Sequence, residues 1–460
     1  MERPRQANHT DQPRAGQTQS WSPRVSGLLR VHEAAKRNPG KRLTALLHHV
    51  DEQALLRAFM RLRKAAATGV DGVSVETYQY GLAERLQELC ERIHKGRYRP
   101  QPIRRVSIPK PDGGERPLGI LALEDKIVQG AVAELLNAIY EADFLDMSHG
   151  FRPERNAHDA LRQVEKAVMT ERVSWVLDAD IEKFFDTVDH EWLLRMLSHR
   201  VGDQRVLRLI EDWLKVGILQ GTQATSVAQG TPQGAGISPL LANVFLHYAL
   251  DLWVDQWRVK RAHGRMRATR YADDVVFTFE AKADAEDFRM ALQQRLGRFG
   301  LNLHERKTRL LAFGTWQTRK SYRTGRPKPG TFNFLGFTHY CGLTARGRVT
   351  LYRRTQKERQ RAKLKELRQQ LRRRMHRPLA EQHAWLCRVL QGHYQYFAVV
   401  GNNRALQRFR YQLVCAWRYV LLRRNDQRQM PWSRFRRLLA AFPLPQPRIL
   451  GTWNRFAEAS

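Results

Sequence analysis

The 460-residue chain reads as an α+β protein that ends in a helical region. Three observations predict this. Long stretches carry apolar residues at helical spacing, as do Ile127, Val128, Val132, Leu135, Leu136 and Ile139 in one of them. Short runs with the texture of strands lie between, among them "VSWVLDAD" and "RYADDVVF". Beyond residue 353 the pattern is almost wholly helical. At 42% hydrophobic residues, a chain of this length has ample material for a packed core and for more than one domain.

The first residues, "MERPRQANHTDQPRAGQTQSWSPR", are polar and lack the apolar core of a secretory signal, so residues 1–35 read as a disordered leader. Residues 43–78 have helical periodicity broken by a Gly-containing turn at Thr68–Gly72. A helix in "LAERLQELCERIHKG" sets Leu82, Leu86 and Ile93 on one face, with Gly96 ending it. "YRPQPIRRVSIPKPDGGERPLGI" then predicts a hairpin around its Pro-Asp-Gly-Gly turn. Residues 173–189 read as a strand running into a helix, and 268–279 as two strands folded at an Ala-Asp-Asp tip. "FNFLGFTHY" and "GRVTLY" are further strands. Three helices follow: "KERQRAKLKELRQQLRRRM", with Leu364, Leu367, Leu371 and Met375 on one stripe, then "AWLCRVLQGHYQYF" and "LQRFRYQLVCAWRYVLL". No internal repeat is visible.

The charge balance narrows the function. Seventy-nine Lys and Arg stand against 45 acidic residues, a net charge of +34, and such a field favours a polyanion, nucleic acid first. Residues 353–379 hold twelve basic residues against Glu358 and Glu366, a net of +10. A charge run is ordinarily a solvated face, but successive basic amphipathic helices in so cationic a chain read as a nucleic-acid clamp. Its candidate contacts are Arg353, Arg354, Arg361, Lys365, Arg372 and Arg373. The four cysteines are scattered without a C-x-x-C pair, which argues against a zinc site or disulfide framework and fits a reducing, cytoplasmic setting. No apolar run approaches the ~18 residues of a membrane span.

Asp273 and Asp274 sit side by side in the otherwise apolar "TRYADDVVF". Adjacent carboxylates repel, so this is either a solvated turn or a pair that holds a cation. A lone Tyr-x-Asp-Asp is weak evidence, but its company is more telling. In "WVLDADIEKFFDTVDH" a strand ends at Asp180, and that carboxylate with the hairpin tip can converge on two Mg²⁺ ions for an in-line phosphoryl displacement. Lys110 and Arg116 flank a tight turn from which both can point at a triphosphate, although an ordinary basic hairpin has the same pattern. In "AQGTPQGAGISPLLANVFL", Gly230, Gly234 and Gly236 allow close backbone approach to a ligand and Gln233 offers a flat amide. Lys307, in "LNLHERKT", is a candidate proton donor to departing pyrophosphate, or else surface decoration.

Taken in order, these blocks together with "ATGVDGVS", "SHGFRPERNAHDAL" and "FNFLGF" resemble the group II intron-encoded reverse transcriptase/maturase family over roughly residues 40–445. The resemblance implies a right-hand polymerase: an N-terminal extension (36–100), fingers and a palm with an antiparallel sheet (101–345), and an all-helical thumb or domain X (346–440). A tail (441–460) lacks the Cys/His residues of an endonuclease, so second-strand cleavage is not expected. It further implies that Asp180, Asp273, Asp274 and the Ile181 carbonyl bind two Mg²⁺, for which Mn²⁺ could substitute. Lys110 and Arg116 would contact the incoming triphosphate. Phe185 would exclude a 2′-hydroxyl, Gln233 would lie beside the nucleotide, Lys307 would act as the acid and "FNFLGF" would grip the primer. Asp178 shares a face with Asp180, and its role stays open. The expected activity is RNA-directed DNA synthesis from deoxynucleoside triphosphates on an RNA template and DNA primer, with binding of intron RNA to assist splicing. Two other readings keep the same motifs: a reverse transcriptase domesticated for defence, repair or hypermutation, and an RNA-binding splicing cofactor that needs no polymerization.

Overall fold

A computed structural model describes residues 26–109, 115–220, 223–225, 230, 236–325, 327–424 and 430–449. The chain divides into two compact units, one of residues 19–330 and one dominated by the residues from 331 onward.

In the first unit, the helix Ser26–Arg37 turns Leu28, Val31 and Ala35 inward at helical spacing. The leader expected through residue 35 is corrected by this finding, because an apolar stripe of that period gives residues 26–35 a core to join. The helix Glu52–Met60 begins at Asp51, whose carboxylate accepts from the Ala54 amide at 2.7 Å. The helix Leu123–Tyr140 is buried nearly all round and forms the centre of the unit. Two of its buried carboxylates are paired, as buried charge requires. Glu134 takes Arg57 and Arg61 at 3.2 and 2.9 Å, and Asp125 accepts from the Tyr98 hydroxyl at 2.5 Å.

Strands β1 (Ile103–Pro109) and β2 (Glu115–Ile120) form the expected antiparallel hairpin. They are followed by β3 (Trp175–Asp180), β4 (Ile218–Gln220), β5 (Gln223–Thr225), β6 (Met266–Tyr271), β7 (Asp274–Phe279) and β8 (Arg309–Ala312). One sheet has the order β2-β1-β4-β5, with β1 and β4 parallel. The other is antiparallel throughout, in the order β6-β7-β3-β8. Under it lies the helix Lys282–Gly297, whose Phe288 ring packs 4.7 Å from Phe277 and 5.4 Å from Phe279. Between the helices Ser238–Leu246 and Leu252–Lys260 the chain widens into a π-helical turn, His247–Asp251.

The second unit opens with β9 (Phe332–Phe334), β10 (Phe337–Leu343) and β11 (Val349–Thr355), an antiparallel sheet with β10 at its centre. Leu335 and Gly336 turn β9 into β10 with positive φ at both positions (50° and 81°), the geometry that matches strand twist in a two-residue hairpin. Among the described residues four helices follow: Lys357–Arg373, Leu379–Phe397, Asn403–Arg424 and Trp432–Ala441. Leu364, Leu367, Leu371, Leu386, Leu413, Trp417 and Phe435 form their core. The expectation of an all-helical region from residue 346 is therefore corrected. A boundary there would cut the β10–β11 hairpin, whose residues pair from Phe337↔Thr355 to Leu343↔Val349, and the division falls at residue 330 instead. Among the described residues no helix is long and apolar enough to cross a membrane.

Candidate active site

Strand register places the two adjacent aspartates at a hairpin tip. Tyr271 pairs with Asp274 across the β6–β7 hairpin, which leaves Ala272 and Asp273 as a two-residue turn. Ala272 has φ of 58°, uncommon for a residue with a side chain. On the other side of β7, Asp274 stands opposite Asp180, the last residue of β3. Two of the three predicted carboxylate positions are thus cross-strand neighbours, and the third is the adjoining turn residue.

The chain leading into β8 clamps the end of β3. Asp180 O accepts from the His304 amide at 2.8 Å, and the Glu182 amide donates to Asn302 O at 2.8 Å. This pattern makes Ile181↔Leu303 a bridge in which the Ile181 carbonyl points away from the neighbouring segment, while its side chain is buried. In the β3–β8 pairing, where Asp178 stands opposite Arg309, Lys307 reaches Asp180 with Nζ 2.9 Å from Oδ2, and Arg309 reaches Asp178 with Nη2 3.4 Å from Oδ2. Asp178 and Asp180 therefore share one face and each faces a cation on the β8 side. The Asp180–Lys307 pair is open to solvent, its side chains 41% and 62% exposed.

The donor set at this end is hard carboxylate oxygen, the kind Mg²⁺ takes, and Mg²⁺ is commonly held by one or two carboxylates completed by substrate phosphates. Among the described residues no group of three or more His, Cys, Asp and Glu is gathered to hold a metal ion by protein side chains alone. A metal at Asp180 has to compete with the Lys307 ammonium.

Other sequence-predicted residues fall as follows. Phe185 is half-buried, its ring 5.5 Å from that of the buried Phe184, which in turn packs 6.1 Å from Phe245. Just before them Lys183 has φ of 46°. Asp189 caps the helix His190–Ser198 through the Trp192 amide at 2.8 Å. Arg116 lies in β2 opposite Ile108. Lys110, Gln233 and Gly234 lie outside the described residues. At Gly230, with φ of 94°, a Cβ would stand 3.0 Å from the carbonyl oxygens of Phe185 and Asp186. Its amide lies 2.9 Å from Val188 O and its carbonyl 2.6 Å from His190 Nε2.

Of the predicted nucleic-acid contacts, Arg354, Arg361, Lys365, Arg372 and Arg373 are exposed. Arg353 is not. Alternation along β11 turns Val349, Leu351, Arg353 and Thr355 inward, Arg353 is 1% exposed, and its cross-strand neighbour is the buried His339. Its expected role as an RNA contact is corrected on that ground.

Sequence reasoning missed the supports of the aspartate turn. Gly150 is one: a Cβ there would fall 2.3 Å from the Ala272 amide nitrogen. Arg270 is another, with Asp251, Asn243 and Ser148 around it. Their signal was present, since Arg270 continues the Met266–Ala268 alternation and so puts a charge on a core-facing strand position.

An antiparallel sheet that brings Asp180 and the Asp273–Asp274 turn together at one end, among basic residues, defines a class. The family described as reverse transcriptase (RNA-dependent DNA polymerase) matches residues 108–339, and the chain belongs to it. "Protein YkfC" of Escherichia coli is 35% identical over 311 residues, which cover 60% of this chain and 81% of that protein. "Group II intron-encoded protein LtrA" of Lactococcus lactis is 34% identical over 240 residues, 52% of this chain and 40% of LtrA. "Nuclear intron maturase 1, mitochondrial" of Arabidopsis thaliana is 30% identical over 113 residues, 25% of this chain and 16% of that protein. Within the family, the branch is that of the group II intron-encoded reverse transcriptases and maturases.

Proposed function

We propose that the protein is an RNA-directed DNA polymerase that extends a DNA primer on an RNA template and binds intron RNA to assist its splicing. The observation that carries the reading is the pairing of Asp180 with Asp274, with Asp273 in the adjoining turn. In this reading residues 101–330 supply fingers and palm, and the unit from residue 331 supplies the thumb with its β9–β10 hairpin against the primer.

Asp180, Asp273, Asp274 and the Ile181 carbonyl are the groups that would hold divalent metal. The chemistry supplied by two bound Mg²⁺ ions is charge neutralisation at the phosphates and activation of the primer hydroxyl. The protein's own side chains do the rest. Lys110 and Arg116 bind the triphosphate of the incoming deoxynucleotide, Gln233 lies beside its base, and Phe185 packs under the sugar where a 2′-hydroxyl would collide. Lys307 pairs with Asp180 at the surface, where an ion pair is worth about 0–1 kcal/mol, so its flexible stem leaves the carboxylate readily and offers its proton to departing pyrophosphate. Arg354, Arg361, Lys365, Arg372 and Arg373 hold RNA phosphates, and the work takes place in the bacterial cytoplasm.

The test is primer extension on an RNA template with Mg²⁺. Asp273→Ala/Asp274→Ala should abolish incorporation while RNA binding stays close to wild type. Undiminished synthesis by that variant refutes the polymerase assignment, and cognate intron splicing that persists without synthesis favours the binding role alone.

A further inference from the structure

We propose that Arg270 is the positioning residue of the aspartate turn, fixing Ala272–Asp273 through one fully buried guanidinium. The proposal rests on the reading of Asp273 and Asp274 as site carboxylates. Arg270 and Asp251 both have side chains at 0% exposure. An arginine carries five N–H donors in a rigid fork, and all five find acceptors here. Nε donates to Asp251 Oδ1 at 2.8 Å. Nη2 donates to Asp251 Oδ2 at 2.5 Å and to Ser148 Oγ at 2.7 Å. Nη1 donates to Asn243 Oδ1 at 2.9 Å and to the Ala272 carbonyl at 3.0 Å.

That last bond reaches the turn itself. The other acceptors come from three separate pieces of chain: the segment before Gly150, the helix Ser238–Leu246 and the π-helical turn His247–Asp251. A π-turn is rare and is found frequently at functional sites. Here Asp251 is its last residue and the guanidinium's counter-ion. Asn243 closes a second link by donating Nδ2 to Gly150 O at 2.7 Å, and Gly150 presses on the Ala272 amide. Arg270 also bonds this segment by its backbone, its amide to Met147 O at 2.7 Å and its carbonyl to the His149 amide at 2.9 Å.

Stability alone is a poor reason for such a pair, since apolar residues of similar volume commonly do as well or better in its place. Geometry is a better one. Ala272 sits in a backbone region that persists only where its surroundings over-determine it, and the guanidinium is the group that spans from Asp251 to the turn carbonyl. A lysine ammonium, with three donors and no plane, cannot make the same set of bonds.

The deciding experiment compares wild type with Arg270→Met/Asp251→Leu, which removes both charges together, and with Arg270→Lys, which keeps the charge opposite Asp251. Each variant is checked for folding by thermal melting, and amide hydrogen exchange is followed in peptides spanning residues 271–274. We expect the double variant to melt at or above the wild-type temperature, while turn amides exchange at least tenfold faster in either folded variant. Deoxynucleotide incorporation should fall at least tenfold with RNA affinity unchanged. Wild-type exchange at the turn in a folded variant overturns the proposal. A wild-type protein without incorporation activity defeats the polymerase reading alone, because exchange still reports whether Arg270 holds the turn.

Discussion

Lys307 places its ammonium 2.9 Å from Asp180, on the carboxylate that stands opposite Asp274 across the paired strands. The two roles of this lysine, counter-ion and acid, oppose each other in effect. Lys307→Met removes a competing cation, so the Mg²⁺ concentration for half-maximal synthesis should fall, by no more than about fivefold for a pair worth 0–1 kcal/mol. Turnover should fall by about 10²–10⁴ if the proton donor is lost. Steady-state kinetics over a Mg²⁺ series separates the two, and a variant unchanged in both measures removes Lys307 from the site.

Gly150 offers a prediction with an internal control. In Gly150→Ala the new Cβ would meet the Ala272 nitrogen at 2.3 Å, a backbone atom that cannot swing away, so the turn must move. Incorporation should drop at least tenfold. Gly297, at the end of the helix Lys282–Gly297, has no atom within 4 Å of its added Cβ. Gly297→Ala should hold or raise stability by up to about 1 kcal/mol and leave synthesis intact. Equal effects of the two substitutions would show that the turn tolerates displacement.

These supports mark the limit of what the sequence disclosed. Asp180, Asp273 and Asp274 were legible because carboxylates interrupt apolar strands, and strand alternation already put Asp178 and Asp180 on one face. The partner strand was not legible, since Asp180↔Asp274 is a pairing between residues ninety-four positions apart, fixed by tertiary packing. Arg353 shows the converse: it adjoins the basic run that follows it, although the alternation of "GRVTLYRRT" points it inward with Leu351. The helix Ser26–Arg37 was overlooked because its mean polarity resembles the leader before it, while its stripe of Leu28, Val31 and Ala35 does not.

His247, in the π-turn beside the Arg270–Asp251 pair, predicts a pH dependence. Burial is the chief cause that pushes its pKa down to about 4 from an ordinary 6.5, with Asp251 opposing and Arg270 and Arg152 adding to the shift. The folded protein thus holds this ring neutral where the unfolded chain protonates it. Its contribution is intact above pH 6.5 and is lost as pH falls toward 4. Between pH 7 and 5 that loss is about 2 kcal/mol. Denaturant unfolding at the two values should show His247→Leu losing less stability than wild type by about that amount. Parallel losses would mean that His247 does not titrate differently on folding.

The basic surface yields a prediction that separates exposed from buried arginine. Each phosphate contact releases condensed counterions, so log affinity falls with log salt at a slope set by the number of contacts, about 0.7 per contact for single strands. Arg361, Lys365, Arg372 and Arg373 are exposed along the helix Lys357–Arg373. Their alanine variants should weaken RNA binding at low salt, flatten the slope by about 0.7 each and leave the melting temperature nearly unchanged. Arg353→Ala should do the reverse, because this side chain is 1% exposed within β11 beside His339. It should lower the melting temperature of the second unit and leave the salt slope of the folded protein as it was. RNA titrations at four or more salt concentrations read the slopes directly. A flat slope in wild type would defeat the phosphate clamp, and a reduced slope for folded Arg353→Ala would put that residue back on the RNA surface.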